Sequence, residues 1–223
     1  MKNNHTWVIC AYGESEFLED CILSLQAQTL PSKVICYSST PLDSIKQLCQ
    51  KYGIPFYTKE GGGIGKDWNN ALSFVETSYA TIAHQDDYYE PTYLEAVMQK
   101  IEQSKDILIA YTDYFEEKNG IKIPANTNLK IKTLMLKTLN LMPSSRFWRN
   151  RILAFGNPIS CPAVTYNLEA LRDFRFDEEM RVSLDWYAWY KISAYKGRFA
   201  YISEKLMCHR IHGESETTKT ISD

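Results

Sequence analysis

Apolar runs of strand length alternate with segments of helical periodicity through the first half of the chain. Residues 7–11, 33–37, 55–58 and 79–83 are short apolar runs, which predict strands. Between them lie segments whose apolar residues recur at intervals of three and four, which predict helices. This alternation favours an α/β fold with a mostly parallel central sheet and helices on both faces. In such a fold, ligands bind beyond the carboxyl ends of the strands.

The pattern changes after a strand expected at residues 107–115. Residues 116–157 contain little strand signal and one helix expected at about 133–141, which predicts a helical insertion over the sheet. A strand at 163–166, a helix at 184–195, a strand at 199–202 and a polar tail complete the chain. With 223 residues and 44% hydrophobic content, the chain can bury the core of a single domain.

The expected insertion is basic, although the whole chain has a net charge of −2. No acid occurs between Lys118 and Leu168, whereas that segment holds Lys118, Lys122, Lys130, Lys132, Lys137, Arg146, Arg149 and Arg151. Such a block could meet phosphates, an anionic membrane surface or an acidic partner, and Lys130, Lys132 and Lys137 are the candidates for membrane contact. Solvated charges flanking an ordinary helix are the alternative.

Two adjacent carboxylates follow the fourth expected strand directly. Asp86 and Asp87 lie in the segment from His84 to Pro91, whose sequence is HQDDYYEP. Because Mg²⁺ and Mn²⁺ prefer a few carboxylates together with phosphate oxygens, acids at a strand end predict a metal shared with a diphosphate. A solvated acidic turn before a helix is the alternative.

Two groups near the end of the chain also have chemistry that suits a site. Asp185 opens a helix rich in aromatic residues, and a partly desolvated carboxylate has the proton affinity of a general base. An acid favoured by the helix dipole is the alternative. His209, Arg210 and His212 could contact phosphate or a metal, since guanidinium groups match phosphate oxygens and imidazole binds several metals. Solvated residues on a terminal strand are equally ordinary.

Several protein classes are disfavoured by the sequence. The glycine-rich loop GGGIGKD has neither the spacing of a Walker loop nor that of a dinucleotide fold. The six cysteines are scattered without a CxxC pair, as reduced core thiols would be. No apolar stretch is long enough to cross a bilayer and the start has no apolar export segment, so we expect a cytoplasmic protein.

The order of these pieces resembles the inverting nucleotide-sugar glycosyltransferases of family 2, whose fold is called GT-A. VICAYGESEFLEDCILSLQAQT is similar to the family's opening strand and helix, and KDWNNAL to the segment before the metal motif. TIAHQDDYYEP resembles the Asp-x-Asp region, FDEEMRVSLDWYAWYKIS the acceptor-side segment, and HRIHGES the closing Arg-x-His motif. The resemblance covers nearly the whole chain, and five matches in the right order are specific together.

The resemblance implies a metal-dependent, inverting transfer of a sugar from a nucleoside diphosphate sugar to a hydroxyl of a glycan or lipid-linked acceptor. Asp185 would be the general base, and Mn²⁺ or Mg²⁺ would bind Asp86 with help from His84, Asp87 or His212. The donor would contact Ala11, Tyr12, Glu14, Ser39, Asn69, Gln85 and Arg210. No nucleic acid partner is expected.

The same resemblance implies one domain over residues 1–223. Residues 1–115 would bind the nucleotide sugar, and residues 116–223, with the basic insertion at about 116–157, would bind the acceptor. Membrane contact through the insertion would place the protein peripherally at the inner membrane face.

The chain departs from the family pattern at three places. His84 stands where the family usually has the first acid of Asp-x-Asp, and Leu184 replaces a glutamate that often precedes the base. Residues 37–40, YSST, stand where the family often has Asp-Asp-Gly-Ser. Two alternatives remain open: a nucleotidyltransferase that activates a sugar phosphate, and a non-catalytic sugar-nucleotide or carbohydrate-binding module.

Overall fold

One sheet of nine strands runs through the computed structural model of the protein, which describes residues 4–212. The strands are β1 (His5–Cys10), β2 (Lys33–Tyr37), β3 (Phe56–Tyr57), β4 (Tyr79–His84), β5 (Tyr88–Tyr89), β6 (Ile107–Lys118), β7 (Ile121–Ile123), β8 (Val164–Asn167) and β9 (Arg198–Arg210). All the strands expected from the sequence are present, and β5 and β7 are additional.

Seven helices connect the strands of this described region. They are α1 (Leu18–Gln26), α2 (Asp43–Lys51), α3 (Ile64–Leu72), α4 (Tyr93–Glu102), α5 (Thr127–Leu139), α6 (Arg146–Leu153) and α7 (Leu184–Ile192). A short 3-10 helix, Cys161–Ala163, precedes β8. None of the helices within residues 4–212 combines the length and apolar composition needed to cross a membrane.

Most strands of the sheet point the same way. The order is β3-β2-β1-β4-β8-β6-β9-β5, and β7 pairs with β6 outside this path. The first four strands in that order are parallel neighbours, β8 is antiparallel to both β4 and β6, and β9 is parallel to β6. Strands β1, β2, β3, β4, β6 and β9 therefore share one direction, which confirms the expected mostly parallel sheet. Their carboxyl ends lie at one edge.

Helices cover both faces of the sheet, as the sequence predicts. Trp7 and Ile9 of β1 join a hydrophobic cluster with residues of α1, α2 and α4. Val8, between them, joins a second cluster with residues of α3, α6 and α7. Because successive side chains of a strand point to opposite faces, the two clusters are the two sides of the core. A strand buried on both faces reads as a continuous apolar run, which explains the pattern of residues 7–11.

The last strand is much longer than expected. The sequence predicts a strand at residues 199–202 followed by a polar tail, whereas β9 continues to Arg210. Its register against β6 shifts on either side of Asp113, and the exposed residues Ser203 and Glu204 lie in this bulge. The expectation is wrong because a polar bulge has the composition of a strand end. The GES of the closing motif and the remainder of the polar tail lie outside the described residues.

The insertion contains two helices and the short strand β7, where the sequence predicts one helix. Helix α5 begins after Asn126 and α6 begins after Ser145, and both of these residues cap their helix with a side-chain oxygen. Helix α6 shows no clear apolar stripe because its buried position is taken by Arg149, which is 1% exposed. The Arg149 guanidinium donates hydrogen bonds to the carbonyl oxygens of Pro143, Ser193, Tyr195 and Gly197.

Candidate active site

The strand ends bring most of the expected site residues to one edge of the sheet. They are Ala11 and Tyr12 after β1, Ser39 after β2, Gln85, Asp86 and Asp87 after β4, and Arg210 and His212 at and beyond the end of β9. This is the edge at which ligands bind in open parallel sheets. The unexpected length of β9 is what delivers its last residues to the acids that follow β4.

Asp86 lies close to Ser15, which precedes α1, and to His212, which follows β9. The hydroxyl of Ser15 donates a hydrogen bond of 3.0 Å to its Oδ1. Its Oδ2 lies 3.3 Å from Nε2 of His212. Two of the four residues expected to bind a metal are thus in contact. A carboxylate and an imidazole suit a divalent cation whose remaining ligands are phosphate oxygens and water.

Asp87 is turned into the protein and is 2% exposed. Its Oδ1 accepts a hydrogen bond of 3.1 Å from the backbone N–H of Arg210 and lies 3.3 Å from Nδ1 of His209. Its Oδ2 lies 3.9 Å from Nδ1 of His84. Within residues 4–212 no set of three acid, histidine or cysteine side chains has the arrangement of a complete metal site. The four expected ligands therefore divide into two pairs, Asp86 with His212 and Asp87 with His84.

The two histidines beside Asp87 have opposite pKa shifts. Burial lowers the pKa of His84, and the nearby acids offset this only in part. Burial also acts to lower the pKa of His209, but the Asp87 carboxylate, 3.3 Å from its Nδ1, raises it on balance. His84 stacks on Trp68 with ring centroids 5.5 Å apart. Its Nε2 is buried without a hydrogen-bond partner in the described chain.

Arg210 joins three parts of the fold. Its guanidinium donates to Asp20 of α1 at 2.9 Å, to Glu117 of β6 at 3.4 Å and to the carbonyl oxygen of Asp86 at 3.3 Å. It also lies 4.8 Å from the ring centroids of both Phe17 and Tyr88. These contacts fix the backbone of the acidic turn against α1 and β9.

The loop after β1 is held by a side-chain amide. Gln85 accepts a hydrogen bond of 3.1 Å from the backbone N–H of Tyr12 and donates one of 2.8 Å to its carbonyl oxygen. Ala11 is buried, with its N–H donating to the carbonyl of Tyr37. The Tyr12 ring is 64% exposed beside this anchored backbone, and Glu14 is exposed on the same loop. The loop presents an aromatic face and a carboxylate at the edge of the sheet.

An acid that the sequence analysis missed lies beside Ser39. Asp67 of α3 accepts hydrogen bonds from the Ser39 hydroxyl at 2.9 Å and from the Tyr37 hydroxyl at 3.2 Å. A Cβ on Gly61 would come within 2.5 Å of the Ser39 Cβ, so only glycine lets the loop pass this close. A carboxylate is therefore present at the end of β2 although residues 37–40 contain none. Its sequence signal, the glycine-rich loop followed by an acid, does not show which strand the acid will meet.

Asn69 connects α3 to the segment that leads to α7. Its amide donates to the carbonyl of Phe176 at 3.0 Å and to Glu178 at 2.9 Å, and its Oδ1 accepts from the Phe176 N–H at 2.8 Å. A Cβ on Gly65 would lie 1.9 Å from the carbonyl oxygen of Asp177. Both ends of the Asn69 amide are thus engaged in holding this segment.

Asp185 lies in the first turn of α7, largely enclosed by protein. Asn157 donates a hydrogen bond of 2.6 Å to its Oδ2, and the N–H of Trp186 donates one of 2.8 Å to its Oδ1. Burial raises the pKa of this carboxyl above its ordinary value, while the two hydrogen bonds and the charges of His84 and Lys132 act in the other direction. Each of His84 and Asp185 acts on the pKa of the other, so the two groups lie within electrostatic range. No sequence pattern pointed to Asn157.

An apolar cleft of about 340 Å³ opens between α6 and α7. Its walls are formed by Asn150, Leu153, Ala154, Met180, Ser183, Trp186, Tyr187 and Tyr190. The rings of Tyr187 and Tyr190 stack at an interplanar angle of 17° and are partly exposed. Such a cleft can take an apolar group or the face of a ring.

The three lysines expected at a membrane are separated in space. Lys132 is directed inward, with Nζ 3.2 Å from the hydroxyl of Tyr114, and it is one of the charges that act on Asp185. Lys137 lines a groove of about 460 Å³ between α4 and β9. Lys130 is exposed on α5. Lys132 thus belongs to the site, and the other two belong to the outer surface.

Comparison with known proteins is consistent with this geometry. The model of the family described as Glycosyl transferase family 2 matches residues 6–163. Glycosyltransferase GlyA of Streptococcus pneumoniae serotype 4 is 24% identical over 123 residues, which cover 52% of this chain but only 18% of GlyA. The chain therefore corresponds to less than a fifth of that relative.

Solved structures with the same fold include TarS and a mannosyltransferase. The crystal structure of S. aureus TarS 1–349 has a TM-score of 0.72 at 19% identity, over 92% of this chain and 60% of that chain. Its complex with UDP-GlcNAc has a TM-score of 0.69 at 17% identity, over 96% and 60% of the two chains. The mannosyltransferase PcManGT from Pyrobaculum calidifontis, in complex with GDP-Man and Mn²⁺, has a TM-score of 0.70 at 12% identity, over 99% and 64%.

These likenesses confirm the expected GT-A fold, and the chain spans less than two thirds of each of these proteins. Residues 6–163, which match the family model, are well over half of the 223 residues. The chain therefore belongs to glycosyl transferase family 2.

Proposed function

We propose that the protein transfers a sugar from a nucleoside diphosphate sugar to a hydroxyl of a glycan or lipid-linked acceptor, with inversion at the anomeric carbon. The observation that carries this proposal is the pairing of an acidic turn after β4 with an enclosed carboxylate, Asp185, whose pKa burial raises. The acidic turn would hold the metal that assists departure of the diphosphate, and Asp185 would deprotonate the acceptor hydroxyl.

The nucleoside is expected against the loop after β1 and the end of β2. Ala11, Tyr12, Glu14 and Ser39 surround this place, and Gln85 holds the Tyr12 backbone. The exposed Tyr12 ring offers an apolar face to a base or ribose. A nucleotide-sugar donor is also what TarS and PcManGT hold in their complexes with UDP-GlcNAc and GDP-Man.

Asp86 and His212 are the residues we expect to hold Mn²⁺ or Mg²⁺, with His84 and Asp87 in support. Two protein ligands fit such an ion when the substrate diphosphate supplies further oxygens. When bound, the ion would neutralise the negative charge of the departing nucleoside diphosphate. His84 is suited to a supporting role because its lowered pKa keeps the imidazole neutral.

Arg210 and Asn69 act, in this proposal, by positioning. Arg210 binds the carbonyl of Asp86 while its charge is matched by Asp20 and Glu117, so it keeps the acidic turn in place near the diphosphate. Asn69 holds the segment at residues 176–178 that leads into α7. Both residues were expected to contact the donor. In this proposal, Arg210 supports the acidic turn and Asn69 supports the segment that leads into α7.

Asp185 is the proposed general base. It would take the proton of an acceptor hydroxyl while that oxygen attacks the anomeric carbon from the face opposite the diphosphate, in a single displacement. Asn157 and the Trp186 N–H orient the carboxylate and leave lone pairs of its oxygens for the incoming proton. One displacement at the anomeric carbon inverts its configuration, so one base is sufficient.

The cleft between α6 and α7 is the proposed acceptor site. Its aromatic walls, Trp186, Tyr187 and Tyr190, suit a sugar ring or the apolar part of a lipid-linked acceptor. We propose that transfer takes place in the cytoplasm, peripherally at the inner membrane face. Free, mostly buried thiols suit a reducing compartment.

Calorimetric titration with a panel of nucleoside diphosphate sugars, with and without Mn²⁺, tests the proposal. We expect one donor to bind more tightly with Mn²⁺, and the Asp86→Asn variant to lose that gain of about tenfold or more because it removes a charged ligand. Glu102→Gln, an exposed acid on α4, is the matched control and should bind as the unmodified protein does. If Mn²⁺ has no effect on the unmodified protein, or Asp86→Asn keeps the full effect, the assignment of Asp86 is wrong.

A non-catalytic sugar-nucleotide-binding module is the second candidate. It is favoured by His84, which stands where the resembled family has an acid and so leaves fewer charged ligands at the turn. Such a module would bind the donor in the same titration but would neither hydrolyse nor transfer it. A donor-hydrolysis assay at saturating Mn²⁺ separates the two candidates.

A further inference from the structure

Helices α5 and α6 and the turn between them present large apolar side chains to solvent. Leu134, Leu141 and Phe147 expose 63%, 73% and 74% of their surfaces, and Ile131 and Met142 expose just over half of theirs. Leu141 and Met142 lie in the turn that joins the two helices. We call these five residues the apolar ridge. Several large apolar side chains exposed on two neighbouring helices indicate an interaction surface.

The fold of α5 does not require these residues. Its core face is formed by Leu129, Leu136 and Leu139, which are all buried. Ile131 and Leu134 lie away from that face, where a surface helix normally carries polar residues. Helix α5 is therefore apolar on two sides, and only one of them packs against the sheet.

The exposed charges carried by α5 and α6 are all basic. Lys130, Lys137, Arg146 and Arg151 are exposed on the same two helices. No acid is present from Lys118 to Leu168 to balance them. Two other basic residues of the segment are used inside the protein, because Arg149 donates to carbonyl oxygens and Lys132 binds Tyr114. Lys118 and Lys122 also stay outside, on β6 and β7, so four of the six exposed basic residues of the segment lie on the two helices of the ridge.

We propose that the apolar ridge docks on the surface of an anionic lipid membrane. Apolar side chains on a basic helical surface lie at the boundary of headgroups and acyl chains, while lysine and arginine bind the lipid phosphates. The absence of acids from α5 and α6 favours this occupant, because lipid phosphates complement a border that is basic throughout. Of the three lysines expected at a membrane, Lys130 and Lys137 remain in this docking surface and Lys132 does not.

The surface has a consequence for the acceptor. Helix α6 packs against α5 on one side and, together with α7, forms the walls of the cleft on the other. A membrane bound at α5 and α6 would therefore bring a lipid-linked acceptor close to the cleft. This step rests on the proposed function, whereas membrane docking itself does not.

Co-sedimentation with vesicles tests docking on the purified chain. We expect binding to phosphatidylcholine vesicles that contain about a third of phosphatidylglycerol, and little binding without the anionic lipid. The double variant Leu134→Ser/Phe147→Ser should bind at least about tenfold more weakly. Leu23→Ser/Leu42→Ser, which changes two exposed leucines outside the ridge, is the matched control and should bind normally.

A charge variant separates the two contributions to docking. Lys130→Gln/Lys137→Gln should weaken binding to anionic vesicles by about fivefold for each charge removed, and should reduce its salt dependence. Equal binding to neutral and anionic vesicles, or unchanged binding of both double variants, would overturn the proposal. Self-association that Leu134→Ser/Phe147→Ser abolishes, without vesicle binding by the unmodified chain, would instead identify a protein interface and would also overturn it.

An assay of donor hydrolysis in solution, without vesicles, distinguishes failure of the docking proposal from failure of the proposed function. The ridge variants should keep the hydrolysis rate of the unmodified protein, because none of the changed residues lies at the acidic turn or at Asp185. Loss of vesicle binding with intact hydrolysis supports docking alone. Vesicle binding without any hydrolysis would leave docking in place and contradict the proposed function.

Discussion

Two histidines beside one buried carboxylate show how strongly local geometry decides protonation. His209 lies 3.3 Å from Asp87, and the contact outweighs burial, so its pKa is raised. His84 lies 3.9 Å from the same carboxylate, and burial prevails, so its pKa is lowered. The first imidazole can pair as a cation with Asp87, while the second stays neutral. Their opposite behaviour fits a structural role for His209 and a role in ligand binding for His84.

The Asp87→Asn variant tests this pairing. Asn retains an oxygen for the N–H of Arg210 but removes the charge, so the pKa of His209 should fall, as NMR titration of its ring would measure. A raised histidine pKa stabilises the fold below the ordinary value of about 6.5. That stability is lost as the pH rises through the raised pKa.

The variant should therefore be less stable than the unmodified protein by about 1.5–3 kcal/mol near pH 5.5, with a smaller difference at pH 9. Denaturant unfolding at the two pH values measures this difference. Asp43→Asn, which breaks an exposed pair with Lys46, is the control and should have little effect. A His209 pKa that does not move in Asp87→Asn would show that another group holds its proton.

At the scale of elements, the buried strands and helices of the first half could be predicted because their apolar periodicity is direct. The sequence analysis missed the elements in which polar residues occupy strand or core positions. Strand β9 contains an exposed polar bulge at Ser203 and Glu204, and α6 buries Arg149 at a core position. Periodicity cannot distinguish such residues from loop residues, since it counts only apolar side chains.

The same limit applies to the candidate site. Asp86, Asp87 and Asp185 could be found from the sequence because acids follow a strand or open a helix. Their partners Ser15 and Asn157, and the acid Asp67, come from distant positions along the chain. Contacts over such separations depend on the packing of whole elements, which a single sequence does not reveal.

Helix α3 offers a prediction at this scale, because it contacts the segment before α7 through Gly65. The Gly65→Ala variant would place a methyl group 1.9 Å from the carbonyl oxygen of Asp177, so the helix and the segment must separate. We expect a loss of stability of about 1–3 kcal/mol and lower transfer activity, although Gly65 is not expected to touch substrate. Thermal unfolding and an assay of sugar transfer measure the two effects.

Lys66→Ala, at the next position of α3, is the control for this variant. Its side chain lies over the glycine-rich loop, where a Cβ on Gly62 would come within 2.8 Å of it. Normal stability and activity of Gly65→Ala would mean that the segment is held without this close contact.

At the scale of the whole molecule, the sheet separates two functions along one edge. The loops after β1, β2 and β4 form the proposed donor side, and α6 and α7 form the proposed acceptor side, with the cleft between them. Strand β9 closes the arrangement, because Arg210 ties its end to α1, β6 and the acidic turn. The fold is thus suited to hold a diphosphate and an acceptor hydroxyl on opposite sides of one sugar.

Sugar transfer by the Asp185→Asn variant is the most direct test of the account. Because burial raises the pKa of this carboxyl, its charge destabilises the fold at neutral pH, and removing the charge should raise the melting temperature at pH 7. The transfer rate should fall by about 10² or more with donor affinity unchanged, whereas the exposed control Asp173→Asn should behave as the unmodified protein. A transfer rate for Asp185→Asn equal to that of the unmodified protein would contradict the account.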